Sequence, residues 1–324
     1  MNTTEQKPSN ESITAGATID TTPRVGIVLS SFAGGEEHDG THLPGLKEPC
    51  PVDAELTPRH WAAMLAKAIE LGSPRRRIVL PSMGGMSDSL DWMLVLAAPR
   101  TDPGLVGALL DWLAERKAGK RITVAGITGH PEIADRAATR RPGVRVEMLD
   151  LRSCERLKAP SPVRSYAARN PEGAYSLPRV FRSCDRIFAL APLAVDPAMG
   201  VALSAASYLA LVPPEEIRSS GTPDEVLTDL FAQHPADYAI AGGSWVYEAG
   251  GGRLRHNLVV AGARATAVDA VGAAIMGFDP KKLEVLTRME RRGLGIHDPD
   301  EIWTRGNEIE QAALKVRKPE GWRE

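Results

Sequence analysis

Cysteine is scarce: the 324 residues contain three, Cys50, Cys154 and Cys184, far apart and without a C-x-x-C pair. That spacing speaks against a disulfide framework, a zinc knuckle and a self-contained iron–sulfur cluster. It fits reduced thiols in a cytoplasmic protein. Charge of one sign is also missing. A net charge of −2 offers no field for nucleic acid or an anionic membrane, and Arg75, Arg76 and Arg77 lead into the strand-like Ile78-Val79-Leu80. No apolar run spans a bilayer comfortably, since the longest uncharged stretch, 197–214, is short and broken by glycine, serine and proline. Residues 1–23 are polar, without an apolar core, and are expected to be disordered rather than a signal or an anchor.

What is present is an ordinary globular composition, 43% hydrophobic and 25% charged. Strand-like runs recur at 25–32, 77–83, 121–128, 144–151, 186–193, 238–246 and 258–263. Helices are expected between several of them. Thr57-Pro58, Asp102-Pro103, Thr222-Pro223 and Asp279-Pro280 each place a capping side chain before a proline at the first helical position. The order predicts an α/β fold: a mainly parallel, Rossmann-like sheet covered by helices on both faces. The domain is expected over 24–316, with a candidate lobe boundary in the proline-rich segment 159–178 and a tail over 317–324. Residues 258–306 are the most informative stretch. They read as a buried strand, a helix whose Thr266 and Asp269 have capping-box spacing, a second helix closed by Gly293, and a last strand.

In such sheets ligands bind where the chain leaves the C-terminal ends of strands. That rule gathers His38, Asp39, His42, Asp88, His130, Asp196, Glu248, Arg264 and Asp269 onto one expected rim. His38 and His42, with Asp39 between them, have a spacing that suits a transition metal, or a polar loop over a pocket. The segment 126–131, ending in His130-Pro131, follows a strand and offers backbone N–H groups to an anion. It lacks the G-x-G-x-x-G and P-loop spacings, so neither NAD nor ATP is indicated. Trp245, Tyr247 and Glu248 precede Gly250-Gly251-Gly252, an aromatic–acid cluster beside a permissive turn. For Asp269 a capping role suffices. His60, His234 and His256 need only surface or capping roles.

The residues Ala261-Gly262, Ala267-Val268-Asp269-Ala270-Val271, Met276-Gly277-Phe278-Asp279-Pro280 and Gly293-Leu294-Gly295 resemble the C-terminal segment of a bacterial family, domain of unknown function 362. Thr101-Asp102-Pro103, Leu211-Val212-Pro213 and Glu248 to Gly252 resemble other parts of it. The resemblance implies the α/β fold and fixes no reaction. This chain departs from the family where a Lys-x-Lys-x-His cluster is replaced by Pro192-Leu193-Ala194-Val195-Asp196, and where an Asp-Pro is replaced by Arg264-Ala265. That implies a divergent member with a less basic pocket.

The expected function is an enzyme of bacterial specialised metabolism acting on a small organic molecule by cofactor-independent proton transfer: an isomerase, lyase or cyclase. Glu248 or His130 is the expected base and Arg264 the anion clamp, with Asp196 facing it across the pocket. Trp245, Tyr247, His38, His42 and Asp269 are the expected substrate contacts. One alternative is a metal-dependent, redox-active enzyme with a divalent metal on His38, Asp39 and His42. Another is a non-catalytic small-molecule-binding protein. A homo-oligomer is compatible with the sequence, and neither nucleic acid nor membrane is an expected partner.

Overall fold

A computed structural model describes residues 22–32, 43, 50–73, 92–116, 118–126, 143–160 and 174–322. The uncharged runs form the middle of a mixed, mostly parallel sheet. Its strands are β1 Arg24–Leu29, β2 Trp92–Ala97, β3 Arg121–Ala125, β4 Arg145–Leu149, β7 Arg186–Asp196, β8 Gly200–Ala202, β9 Tyr238–Tyr247, β10 Arg253–Gly262 and β11 Trp303–Gly306, while β5 Arg156–Pro160 and β6 Ala174–Pro178 pair apart from it. The spatial order is β11-β1-β10-β9-β7-β2-β3-β4, with β8 turned back onto β7. Along that path every pairing is parallel except the two that flank β10.

Successive side chains of β2 point to opposite faces of the sheet and both faces are covered, so no polar residue interrupts the strand. Met93, Val95 and Ala97 join one hydrophobic cluster and Leu94 and Leu96 the other, so both faces are buried. The first cluster is completed by helices α1 Pro58–Gly72 and α2 Pro103–Glu115, through Trp61, Leu65, Leu105, Leu109 and Trp112. The second is completed by the helices Pro223–Gln233 and Ala265–Ile275 and the 3-10 helix Ser204–Leu211. The fold class read from the sequence is therefore the observed one. β2 and the strands β5, β6 and β8 have no counterpart in the strand-like runs, and the run 77–83 lies outside the described residues.

The four proline-led helix starts are all present. His60 Nδ1 accepts from Thr57 N at 3.1 Å, Glu225 Oε2 from Thr222 N at 3.1 Å, Asp102 Oδ1 from Gly104 N at 2.8 Å and Asp279 Oδ1 from Lys281 N at 3.0 Å. The last of these opens a 3-10 turn, Pro280–Lys282, and the α-helix proper is Glu284–Arg291, with Gly293 beyond it at φ +71°. Of the segment 159–178, residues 161–173 lie outside the described residues. Ala159, Tyr175 and Leu177 of the β5–β6 ribbon sit in the same cluster as one face of the main sheet.

Gly72 ends α1, though not by turning the chain into a left-handed conformation. A Cβ there would lie 2.2 Å from the carbonyl oxygen of Ala261 on β10. The missing side chain lets α1 touch the sheet backbone. Gly72→Ala is expected to cost at least about 1–3 kcal/mol through overpacking, read as a lower urea midpoint. An unchanged midpoint would show that the contact gives way freely.

Candidate functional site

The connections out of β2 and β7 part company. β2 leads through α2 to β3 on one side, whereas β7 leads on towards β9 on the other. Open α/β sheets leave a crevice at such a switch point, beyond the C-terminal strand ends. A cleft of about 340 Å³ lies there, lined by the turn Arg100 to Pro103, by Pro192 of β7 and by Gly242 to Trp245 and Tyr247 of β9.

Three local features open it. Pro192 has no N–H to give its neighbour, and next to it the β7–β9 register jumps from Ala191↔Ala241 to Leu193↔Val246. β9 therefore bulges over Gly242 to Trp245, and bulges of this kind re-aim side chains beside functional sites. Gly242 and Gly243 carry the bulge at φ +136° and +143°, and a Cβ on Gly242 would lie 2.0 Å from Leu258 O. On the facing side, Thr101 Oγ1 donates to Ala98 O at 2.7 Å, closing the turn after β2. Arg100 in that turn holds φ +69°, a strained conformation for a residue with a side chain.

Asp102 joins the two walls. Its Oδ1 accepts from Gly104 N at 2.8 Å, and its Oδ2 accepts from Ser244 N at 3.1 Å. One carboxylate thus caps α2 and anchors the bulge. Tyr247 closes the mouth: its hydroxyl donates to Arg100 O at 3.4 Å, and the Arg100 guanidinium stands 5.2 Å from the ring centroid. Burial holds the Tyr247 phenol above its ordinary pKa, against the opposing pull of Arg100 and Arg253, while the Asp102 charge adds to the rise. The group is therefore a protonated hydrogen-bond donor at neutral pH.

The expected site residues divide. Trp245 and Tyr247 line the cleft. Glu248 comes next in the chain but does not: its Oε1 accepts from Arg317 N at 2.8 Å, and Ala249 N donates to Arg317 O at 3.0 Å, so Glu248 ties the C-terminal segment down. That segment is docked further on, where Trp322 packs on Phe278 with ring centroids 5.6 Å apart. Asp196 is at the same sheet edge, beyond Ala194↔Tyr247, but its Oδ1 accepts from Ala198 N and Met199 N and shapes the β7–β8 turn. His38, Asp39, His42, Asp88 and His130 lie outside the described residues.

Arg264 and Asp269 are at the wrong edge for the expected rim. β10 runs antiparallel to β9, placing Gly262 opposite Ala239 and Arg253 opposite Tyr247. The chain therefore leaves β10 at the N-terminal edge of β9, roughly 25 Å from Tyr247 along the strand. Arg264 is exposed there, immediately before the helix Ala265–Ile275, and does not face Asp196. Asp269 forms no capping box with Thr266, whose Oγ1 donates to Leu294 O at 2.9 Å. Instead, the buried Asp269 carboxylate accepts from Ser204 N at 2.9 Å, Ser204 Oγ at 2.5 Å and Ala205 N at 2.9 Å. It thereby caps another helix across the core. With no contact between them, Asp196→Ala is expected to cost about 1 kcal/mol and Arg264→Ala less than about 0.5 kcal/mol. In urea unfolding the double variant should be additive to within about 0.5 kcal/mol; a larger coupling would contradict the separation.

Sequence reasoning missed Arg100, Asp102, Gly242 and Gly243 as site residues. Asp102 was visible as a helix cap, but its second partner, Ser244, is remote in sequence. Among the described residues no three His, Cys, Asp or Glu side chains group as a metal site, and no helix is long and apolar enough to cross a membrane. The Cys184 thiol is buried, and burial pushes its pKa up to about 12, so it stays protonated at neutral pH.

Fold and cleft together define an open α/β protein with a small-molecule-sized crevice at its switch point. No protein-family model matches the chain, and no curated protein matches its sequence. Among solved structures it is similar to the lactate racemase apoprotein from Thermoanaerobacterium thermosaccharolyticum, at 12% identity and a TM-score of 0.39 over 65% of this chain. The chain spans 55% of the length of that protein.

Proposed function

We infer that the protein is an enzyme that moves a proton on a small organic molecule held in the cleft between β2 and β7, without a nucleotide cofactor. The observation that carries this is the meeting of the bulged β9, Pro192 and the Arg100 to Pro103 turn around a cavity of about 340 Å³. That volume falls in the range of small-molecule sites. Taking a proton from the carbon beside a carbonyl needs a base to receive it, for which Asp102 is the carboxylate among the cleft-lining residues once its Oδ2 gives up Ser244 N, and leaves charge on the carbonyl oxygen. A fixed donor aimed at that oxygen lowers the barrier. The Tyr247 hydroxyl becomes such a donor by turning its one proton from Arg100 O, which it meets at 3.4 Å, to the ligand, and the Arg100 guanidinium beside it supplies compensating positive charge. Isomerase, lyase and cyclase chemistry all use this step. We also propose that the chain is a divergent member of the 362-type family, on the strength of residues 258–306.

The test is incubation of the purified full chain with pooled small carbonyl acids in heavy water, read by NMR. The expected result is deuterium incorporation, or a new product, in one component. A non-catalytic binding protein is the second reading, favoured by Asp102 having both oxygens engaged by backbone N–H groups and so not being a ready base. Saturation-transfer signals without any deuterium exchange would select it. Elemental analysis of the same preparation tests the metal-dependent alternative on His38, Asp39 and His42.

A further inference from the structure

Trp245 and Tyr247 of the cleft wall gather three arginines that are scattered in sequence: Arg100, which lines the cleft, and Arg253 and Arg255, which stand against the Trp245 ring beside that lining. In the β9–β10 ladder Arg253 lies opposite Tyr247 and Arg255 opposite Trp245, and cross-strand partners share a face of the sheet. Arg253 and Arg255 stand 4.2 and 5.0 Å from the centroid of the Trp245 ring. Arg100 approaches Tyr247 from the β2 side at 5.2 Å. Guanidinium groups and aromatic rings thus alternate along one wall. Such stacking positions a guanidinium while its N–H edge stays open to an acceptor.

None of the three has an ion pair or a side-chain hydrogen bond among the described residues. The Arg255 Nε is buried without an acceptor. Asp102, the acid among the lining residues, has both oxygens committed to backbone N–H groups. Three like charges along one wall repel each other, and an anion seated between them removes that repulsion. The strained backbone at Arg100 is a further mark of a position held for binding.

We propose that the ligand of this cleft is a small organic polyanion, with one anionic group at Arg100 and a second at Arg253 and Arg255. The proposal rests on the cleft being the ligand site and names the class of ligand it takes. Carboxylate and phosphate oxygens both match the guanidinium fork, so the shared chemistry is a compact acid with two or more negative charges.

Isothermal titration of the full chain at low ionic strength, with butyrate, succinate, citrate and glycerol 3-phosphate as probes, tests this. At least one doubly charged probe should bind ten-fold or more tightly than butyrate. That preference should collapse in R100A and in the R253A/R255A double variant. A lead for succinate or citrate marks a polycarboxylate ligand, and a lead for the phosphate ester marks a phosphorylated one. If a variant fails to fold, the wild type still decides, because the affinity of the doubly charged probe should fall more steeply with added salt than that of butyrate. Affinities within two-fold across the series, no binding by any charged probe, or a preference that survives both variants would overturn it. Charge preference without proton exchange would sink the catalytic reading and keep this one; exchange on a monoanion without charge preference would do the reverse.

Discussion

Replacing Asp269 with alanine is expected to destabilise the protein by at least about 3 kcal/mol, more than any other single change considered. The carboxylate is buried and accepts from two backbone N–H groups and one hydroxyl, all at the start of the helix Ser204–Leu211. Alanine leaves those donors buried and unpaired, and each costs about 1–3 kcal/mol. An asparagine side chain in its place restores one acceptor and sets an amide N–H₂ against the remaining donors, so D269N should fall in between. A urea midpoint for D269A within error of wild type would show that water or a backbone shift replaces the carboxylate. The pH dependence has a definite sign. Burial, opposed by the hydrogen bonds from Ser204 and Ala205, pushes the Asp269 carboxyl up from 3.8 to about 6. The folded state therefore binds this proton more tightly than the unfolded chain. Its contribution is fully present below pH 3.8 and is lost as pH rises through about 6. Stability–pH curves for wild type and D269N should diverge across that window, with the slope due to Asp269 absent from the variant.

The second large effect concerns turnover. With the reacting molecule identified by the exchange experiment, Tyr247→Phe is expected to lower kcat by about 10²–10⁴, the range for a positioned proton donor. The ring and its contact with Arg100 survive the change, so KM should move little. The phenol is held above its ordinary pKa by burial. No loss of rate from its ionisation is expected between neutral pH and about pH 10. Equal kcat in Y247F would remove Tyr247 from the chemistry, and a rise in KM alone would make it a binding residue.

The architecture was legible because its signals are local. A proline after Thr57, Asp102, Thr222 or Asp279 needs only the next residue or two to define a helix start, and all four starts are there. β2 was illegible for a physical reason. Trp92 to Ala97 is buried on both faces, so it shows no alternation and cannot be told from a buried helical turn by period. Missing β2 left the turn after it out of the expected rim, and 83–88, on which that rim drew, lies outside the described residues. The turn after that strand, with Arg100 and Asp102, lines the cleft. The direction of β10 was the other loss. Nothing in Leu258 to Ala261 says which way the strand points, and that direction alone moves Arg264 and Asp269 to the far edge. Trp245 and Tyr247 survived because they precede the crossing from β9 to β10. Glu248 looks like an acid beside a glycine turn, and its partner, the Arg317 backbone, is remote in sequence.

The position of β1 carries a consequence for how the chain assembles. Its six residues are made more than two hundred residues before their partners: Val25 pairs with Gly262 and Arg24 with Trp303. Until residues 303–306 have been made, this strand has an open edge and no complete set of neighbours. Contacts so distant in sequence close slowly, and an apolar strand waiting with unpaired edges is a template for the wrong partner. Yield in a cell should therefore respond to chaperone supply and to growth temperature. A chain that stops before Trp303 should be lost to aggregation, although it retains every residue of the cleft.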